Sequence, residues 1–389
     1  VVECDVSAPN LGLLQKLWFR LASRLTTVVH CAGDVNGVLP YTTLRRGANV
    51  AGVAEMLRLV RAAMSIGSRP VRMHHVSSSV VLPGTPGTDY KLSPSTPLGT
   101  CADRIGELPD GYCRSKFVAE RMLHNAAQEP HSVLSTIYRM GNIGPPVHDT
   151  FLPSDSTDLT TPERGTSLQH SHLAPFDMQA AMVAASVALG QYPATTPEWR
   201  VVWVPVDHIA AKIVACVETQ RGSNVPEGER AGSPSIVHVA GSAASEQVIQ
   251  CASLVKHLND RCQHISPVDG QTWVSLLQAE AASLEMEPEP VRGPIQQGSK
   301  GSPRLALLRA AALAESEEGL SNALGLNDCI LAPSQFEPIR SYLDPLVKRD
   351  STLDSVTSQG IQIRGEGALE LYVKHLDMHG VFDGASYKH

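Results

Sequence analysis

Tyr112 and Lys116 stand four residues apart in the stretch GYCRSK, residues 111–116. On a helix that spacing puts both side chains on one face. A lysine ammonium beside a phenol favours the phenolate and lowers the tyrosine pKa, and a phenol tuned in this way can give or take a proton near neutral pH. Reduction of a carbonyl by hydride needs such a group, because an alkoxide develops on the oxygen and must be protonated or hydrogen-bonded. A serine hydroxyl close by would be a second donor. Ser77, Ser78 and Ser79 lie near the end of the run RPVRMHHVSSSVV, at a strand end, where α/β sheets place their ligands. With 8 Tyr and 9 Lys in 389 residues, Tyr-x-x-x-Lys arises by chance about 0.2 times. The spacing by itself is therefore also that of an ordinary amphipathic helix. The order of the elements around it carries more.

Over the first 145 residues, strand and helix patterns alternate. TTVVHCAG (26–33) is a short β-branched run that ends in glycine, a buried strand. NVAGVAEMLRLVRAA (49–63) places Val50, Val53, Met56, Leu57 and Val60 on one helical face. Residues 69–81 form the serine strand, which opens into a Pro/Gly-rich loop. Residues 112–127 form the helix of Tyr112 and Lys116, and 132–146 a strand followed by a loop. Strands alternating with helices predict a parallel sheet covered on both faces. Residues 147–175 are rich in Ser, Thr, Asp and Pro and read as a loop, a candidate lid. A helix is expected at 176–190, a strand, turn and helix at 199–218 with Asp207 as N-cap, and a strand at 235–241. The remainder, 246–389, has a mainly helical pattern interrupted by the mobile-looking stretch 287–303.

The expected fold is α/β, a Rossmann-like doubly wound parallel sheet with a smaller, mainly helical substrate domain. Residues 1–146 with 199–245 make the dinucleotide-binding part; 147–198 and 246–389 make the substrate and carrier-docking part. Such a sheet normally carries a Gly-rich turn after its first strand, and this chain has neither GxGxxG nor GxxGxxG. Either the sheet binds no dinucleotide, or its N-terminal βα units lie upstream of Val1. The start VVECDV, with no initiator Met and a strand-like pattern, fits a chain that begins inside a longer protein.

Composition narrows the function classes. The chain is 42% hydrophobic and 18% charged, with a net charge of -7 and no basic block. Nucleic acid and anionic membrane are not its expected partners. No apolar run reaches about 18 residues, the length of a membrane-spanning helix, and the N-terminus has no signal-peptide pattern. The eight cysteines are scattered without a CxxC pair, as expected of free thiols in a reducing, cytoplasmic compartment. His74–His75 and His170–His172 lack partners at metal-ligand spacing, so no metal site is expected.

Several segments, in order, carry a family resemblance: DVSAPNLGLLQKLWFRLASRLTTVVHCAG, ANVAGVAEMLRL, HHVSSSVV, ELPDGYCRSKFVAERML, IYRMGNIG and APFDMQAAMVAASVALGQYP with VVWVPVDHIAAKIV. Together they resemble the extended short-chain dehydrogenase/reductases. Within these, the chain is most similar to the thioester reductase domains of nonribosomal-peptide-synthetase-like enzymes and carboxylic acid reductases, relatives of the male sterility acyl reductases. The resemblance is good over roughly residues 1–245 and thin beyond.

It implies an NADPH-dependent oxidoreductase of secondary metabolism, with NADH possible. The enzyme would reduce an acyl thioester, delivered on phosphopantetheine by a carrier (thiolation) domain upstream, to an aldehyde or onward to an alcohol. Tyr112 would be the proton donor, Lys116 the residue that holds the nicotinamide ribose and tunes Tyr112, and Ser78 the carbonyl-binding hydroxyl, with Ser79 the alternative register. Asp5 and Val6 would contact adenine. Cys31, Ala32 and Gly33 would line the cofactor, Asn49 would be the structural helix asparagine, and Met140, Gly141 and Ile143 would lie near the nicotinamide. Met140 departs from the family's usual proline, and Asp34 puts a charge near the cofactor channel. The absent glycine loop leaves NADPH preference to the resemblance alone. Two other readings stand at this stage: a nucleotide-sugar epimerase or dehydratase of the same superfamily, and a non-catalytic truncated remnant.

Overall fold

A computed structural model describes residues 2–35, 39–67, 70–78, 81, 105–106, 108, 110–128, 132–144, 178–194, 196, 200–221, 232–239, 248–261, 265–283 and 373. In chain order the elements are α1 (Gln15–Ala22), β1 (Thr27–His30), α2 (Tyr41–Leu44), α3 (Val53–Gly67), β2 (Arg72–Ser78), α4 (Gly111–Ala127), β3 (Leu134–Met140) and β4 (Asn142–Gly144). There follow α5 (Met178–Leu189), β5 (Gln191–Pro193), β6 (Arg200–Pro205), α6 (Val206–Arg221), β7 (Ser235–Val239), β8 (Val248–Gln250), α7 (Cys251–Arg261), β9 (Ser266–Val268) and α8 (Gly270–Ser283). The candidate lid at 147–175 and the stretch 287–303 lie outside the described residues.

The central sheet is all parallel in the order β1-β2-β3-β7. Its helices lie on both faces, as the alternating pattern requires. On one face α1, α3 and α4 bury Trp18, Val53, Met56, Val60, Ala119 and Leu123 against Val28, Met73 and Ile137 of the strands. On the other, Ile209, Ile213 and Cys216 of α6 cover Tyr138, Met140 and Val239. β3 therefore has both faces covered, and every side chain from Ser135 to Met140 is buried. α3 follows its predicted apolar stripe, but it is preceded by a π-turn at Ala48–Gly52 that leaves Val50 half-buried.

The structure departs from the sequence reading in three places. Val2–Asp5 are not in a strand; among the described residues no strand pairs with them. Residues 248–250, expected in the helical part, form β8, which pairs antiparallel with β6, while β6 pairs with β4. β9 likewise pairs with β5. Asp207 is inside the first turn of α6, since that helix starts at Val206, and its Oδ1 accepts from the backbone N–H of His208. There it is an acidic residue near the helix N-terminus rather than the cap.

Three histidines are sealed in the sheet. His30, His74 and His75 are 3%, 1% and 0% exposed. Burial pushes His30 and His74 down to about 4, and His75 well below the usual imidazole value. They fold as neutral rings, whereas the unfolded chain protonates them below about pH 6.5. Below that pH the unfolded state binds more protons, so stability must fall as pH drops from about 6.5 towards 4. The thermal midpoint, followed across that range, should decline steeply, with His30 and His74 each contributing on the order of 2–3 kcal/mol. His30→Gln, which cannot protonate, should flatten the slope; an unchanged slope in this variant would refute the assignment.

Candidate active site

α4 starts where it does because of two residues. Asp110 caps it, its Oδ1 accepting from the Cys113 backbone N–H at 2.7 Å. Gly111, the first helical residue, lies against the turn into α2: a Cβ there would come within 2.5 Å of the Tyr41 backbone nitrogen and 2.7 Å of the Pro40 carbonyl carbon. This close approach puts Tyr112 in the first turn of α4 and Lys116 one turn later. The carboxyl ends of β1, β2 and β3 lie alongside, and they bring the residues after His30, the serine end of β2 and Gly141 to one edge of the sheet.

The Ser78 hydroxyl lies close enough to the Tyr112 phenol to favour its ionised form. Lys116 Nζ lies 5.8 Å from the Tyr112 ring centroid and donates to the Val76 carbonyl at 3.1 Å. The electrostatics correct one expectation. The phenol of Tyr112 is not lowered by the lysine; burial pushes it up to about 12, with the Ser78 hydroxyl acting in the opposite direction. Burial also lowers Lys116 to about 8, opposed by the charges of Glu120 and Cys31. The physical reason is desolvation, which disfavours the charged form of both groups. Tyr112 is thereby kept a neutral acid at physiological pH, the state a proton donor needs.

Cys31, Ala32 and Gly33 are exposed at the end of β1. A Cβ on Gly33 would sit 3.1 Å from Lys116 Nζ and 3.4 Å from Asn49 Oδ1, so the β1 turn packs directly on the lysine. Asn49 is occupied by protein: its Oδ1 accepts from the Asp34 N–H at 2.6 Å, and its Nδ2 donates to the Asp34 carbonyl at 2.8 Å and to Ser115 Oγ at 2.9 Å. It ties the β1 turn, the π-turn before α3 and α4 together. Asp5 Oδ1 accepts from the backbone N–H and hydroxyl of Ser7, and Val6 packs against the α3 side of the core. The Met140 side chain is in the core under α6, so it can face a ligand only through its backbone. Gly141 donates its N–H to the Val239 carbonyl, and Ile143 is half exposed. Ser79 lies outside the described residues.

Sequence reasoning missed the buried charges beneath this edge. Arg139 of β3 grips Glu120 of α4 through Nη2 at 2.7 Å and Nε at 3.1 Å, and Ser77 Oγ donates to the same carboxylate at 2.6 Å. The signal was present: Glu120 is four residues beyond Lys116 on the same helical face. His30 and His75, with ring centroids 5.4 Å apart, complete the wall behind Lys116.

A parallel α/β sheet with a tyrosine, a lysine and a serine gathered at its carboxyl edge defines a Rossmann-like protein. The chain belongs to the male sterility protein family of NAD-binding proteins, whose family model matches residues 1–213. It is similar to glycine betaine reductase ATRR of Emericella nidulans, 30% identical over 214 residues that make up 55% of this chain and 14% of that protein. It is also similar to a carboxylic acid reductase of Segniliparus rugosus, 32% identical over 32% of this chain and 10% of that protein. The chain thus spans under a fifth of the length of these curated relatives. The fold resembles that of the reductase domain of a nonribosomal peptide synthetase from Mycobacterium tuberculosis, with a TM-score of 0.57 and 20% identity over 98% of this chain and 76% of that one.

The start of α4 can be tested by substitution. Gly111→Ala forces a methyl group into the backbone of residues 39–41 and should cost about 1–3 kcal/mol, although alanine is the better helix former. Asp110→Ala should cost about 1 kcal/mol through the lost cap. Urea unfolding of both variants measures this; a Gly111→Ala protein as stable as the parent would refute the tight contact.

Proposed function

We propose that this chain is the reductase part of a longer enzyme that reduces an acyl thioester, carried on phosphopantetheine, to an aldehyde at the expense of NADPH. The observation that carries the reading is the placement of Tyr112 beside Lys116 and the serine end of β2 at the sheet's carboxyl edge, in a chain of the male sterility family. The names of its reductase relatives support it.

The residues present suit a nicotinamide cofactor. The exposed turn Cys31–Gly33 offers backbone against which a ribose or nicotinamide could lie, and the Lys116 ammonium, which donates to Val76, has further N–H groups for ribose hydroxyls. Asp5 and Val6 are the candidates for adenine, and the backbone of Met140 and Gly141 with Ile143 for the nicotinamide end. When bound, NADPH supplies the hydride. Ser78 and Tyr112 hold the thioester oxygen; as charge grows there, Tyr112 gives its proton and Ser78 keeps a hydrogen bond to the oxygen. The resulting hemithioacetal then loses the pantetheine thiol and leaves an aldehyde. A phenol held near 12 still suits this step, because the alkoxide it protonates is far more basic. Lys116 stays close as the positive charge that favours the phenolate left behind. An upstream carrier domain is the proposed partner, and the second part of the chain its docking and acyl-binding surface.

In the longest polypeptide that contains this chain, Tyr112→Phe should lower thioester-dependent NADPH oxidation by about 10²–10⁴-fold while leaving the NADPH dissociation constant nearly unchanged. Ser78→Ala should lower it less, since Tyr112 remains to protonate the oxygen. Turnover unaffected in Tyr112→Phe, or no acyl thioester consumed by the parent, refutes the reading.

A further inference from the structure

Lys116 is 4% exposed. An ammonium in such a place loses most of its hydration and needs a counter-charge to persist. The groups facing it can be taken element by element. From β1 and its turn come His30 and Cys31; from β2, His75; from α4, Tyr112 and Glu120. The two imidazoles are held neutral by burial, and partial desolvation of the otherwise exposed Cys31 raises its thiol, with Lys116 acting in the opposite direction. Tyr112 is a neutral phenol. Asp34, in the β1 turn, acts on Tyr112. Arg139 of β3 reaches this region through the Glu120 carboxylate. Of these groups Glu120, one helical turn beyond Lys116 on α4, favours its charged form most, ahead of Cys31.

Glu120 is also built into place rather than left to find its position. Arg139 holds both its oxygens, and Ser77, next to Ser78 in β2, donates to one of them. The carboxylate thus joins the helix that carries Tyr112 and Lys116 to the two strands whose ends form the site. We propose that Glu120 is a positioning residue for the proton-donating site: clamped by Arg139 and Ser77, it sets α4 against the serine end of β2 and supplies the counter-charge that keeps Lys116 a cation. The proposal rests on the reductase reading for its purpose, but not for its test.

The direct readout is the titration of Lys116 in protein labelled with ¹³C at the lysine ε-carbons, its signal identified by loss in Lys116→Arg. This needs neither NADPH nor turnover. In Glu120→Gln the Lys116 midpoint should fall by about one pH unit or more. Removing one member of a buried pair can also unfold a protein, so Glu120→Gln/Arg139→Gln serves beside it; because it removes a like charge together with the anion, its fall should have the same sign and be smaller. Ser77→Ala keeps the carboxylate charged and should leave the midpoint in place. In the longest polypeptide that contains this chain, Glu120→Gln should also move the alkaline limb of NADPH oxidation down with the lysine midpoint. A purely structural role would lower the thermal midpoint of the variants and leave the lysine titration where it was; that result, or failure of both Glu120 variants to fold, overturns the proposal. An enzyme that consumes no NADPH with acyl thioesters refutes the reductase reading and leaves the titration to judge Glu120.

Discussion

The side chains of Arg139 and Glu120 are 0% and 1% exposed, and a buried ion pair of this kind constrains a structure more than it stabilises it. Two charges removed from water cost several kcal/mol each, and only close, well-aligned contacts offset that cost. Here the contacts span three elements: the guanidinium comes from β3, the carboxylate from α4, and the third hydrogen bond from Ser77 of β2. A shift of α4 along the sheet would strand a charge. The residues of the candidate site are neighbours of these three in sequence: Ser78 follows Ser77, Lys116 precedes Glu120 by one helical turn, and Met140 and Gly141 follow Arg139. The geometry at the sheet edge therefore depends on the pair beneath it.

A second set of contacts holds the same edge from the side of β1. Asn49 uses its amide to join the backbone of Asp34 to Ser115 on α4, and Ser115 in turn donates to the Tyr112 carbonyl. Gly33 lets the turn after β1 approach Lys116, and Gly111 lets the turn into α2 approach the start of α4. Each of these is a place where a side chain is absent or a small polar one is fully engaged. The result is a lysine and a tyrosine in a largely dry environment, which explains why both take up their uncharged forms more readily than in water.

Much of the fold was legible because a doubly covered parallel strand and an amphipathic helix each leave a local pattern. LSTIYRM is buried nearly throughout and reads as a central strand; VAEMLRLV has an apolar stripe at helical spacing and reads as a helix packed on one face. The three-residue strands were not legible. Val248–Gln250 and Ser266–Val268 are strands only because β6 and β5 lie beside them, and so short a segment carries no period of its own. The tuning of Tyr112 was misread for a related reason: spacing reveals which charges are near, but not how much water is excluded from them.

By itself, the sequence determined the alternation of strands and helices, the helix that carries Tyr112 and Lys116 at a common face, and the serine run at a strand end, because all three are local patterns of residue type and period. The tertiary structure decided what those residues are to one another. It brought Ser78 beside Tyr112, buried Lys116 against the Val76 carbonyl, and engaged the Asn49 amide with Asp34 and Ser115. Hydrogen bonds between residues tens of positions apart, and the desolvation that sets their charge, exist only once the elements have packed.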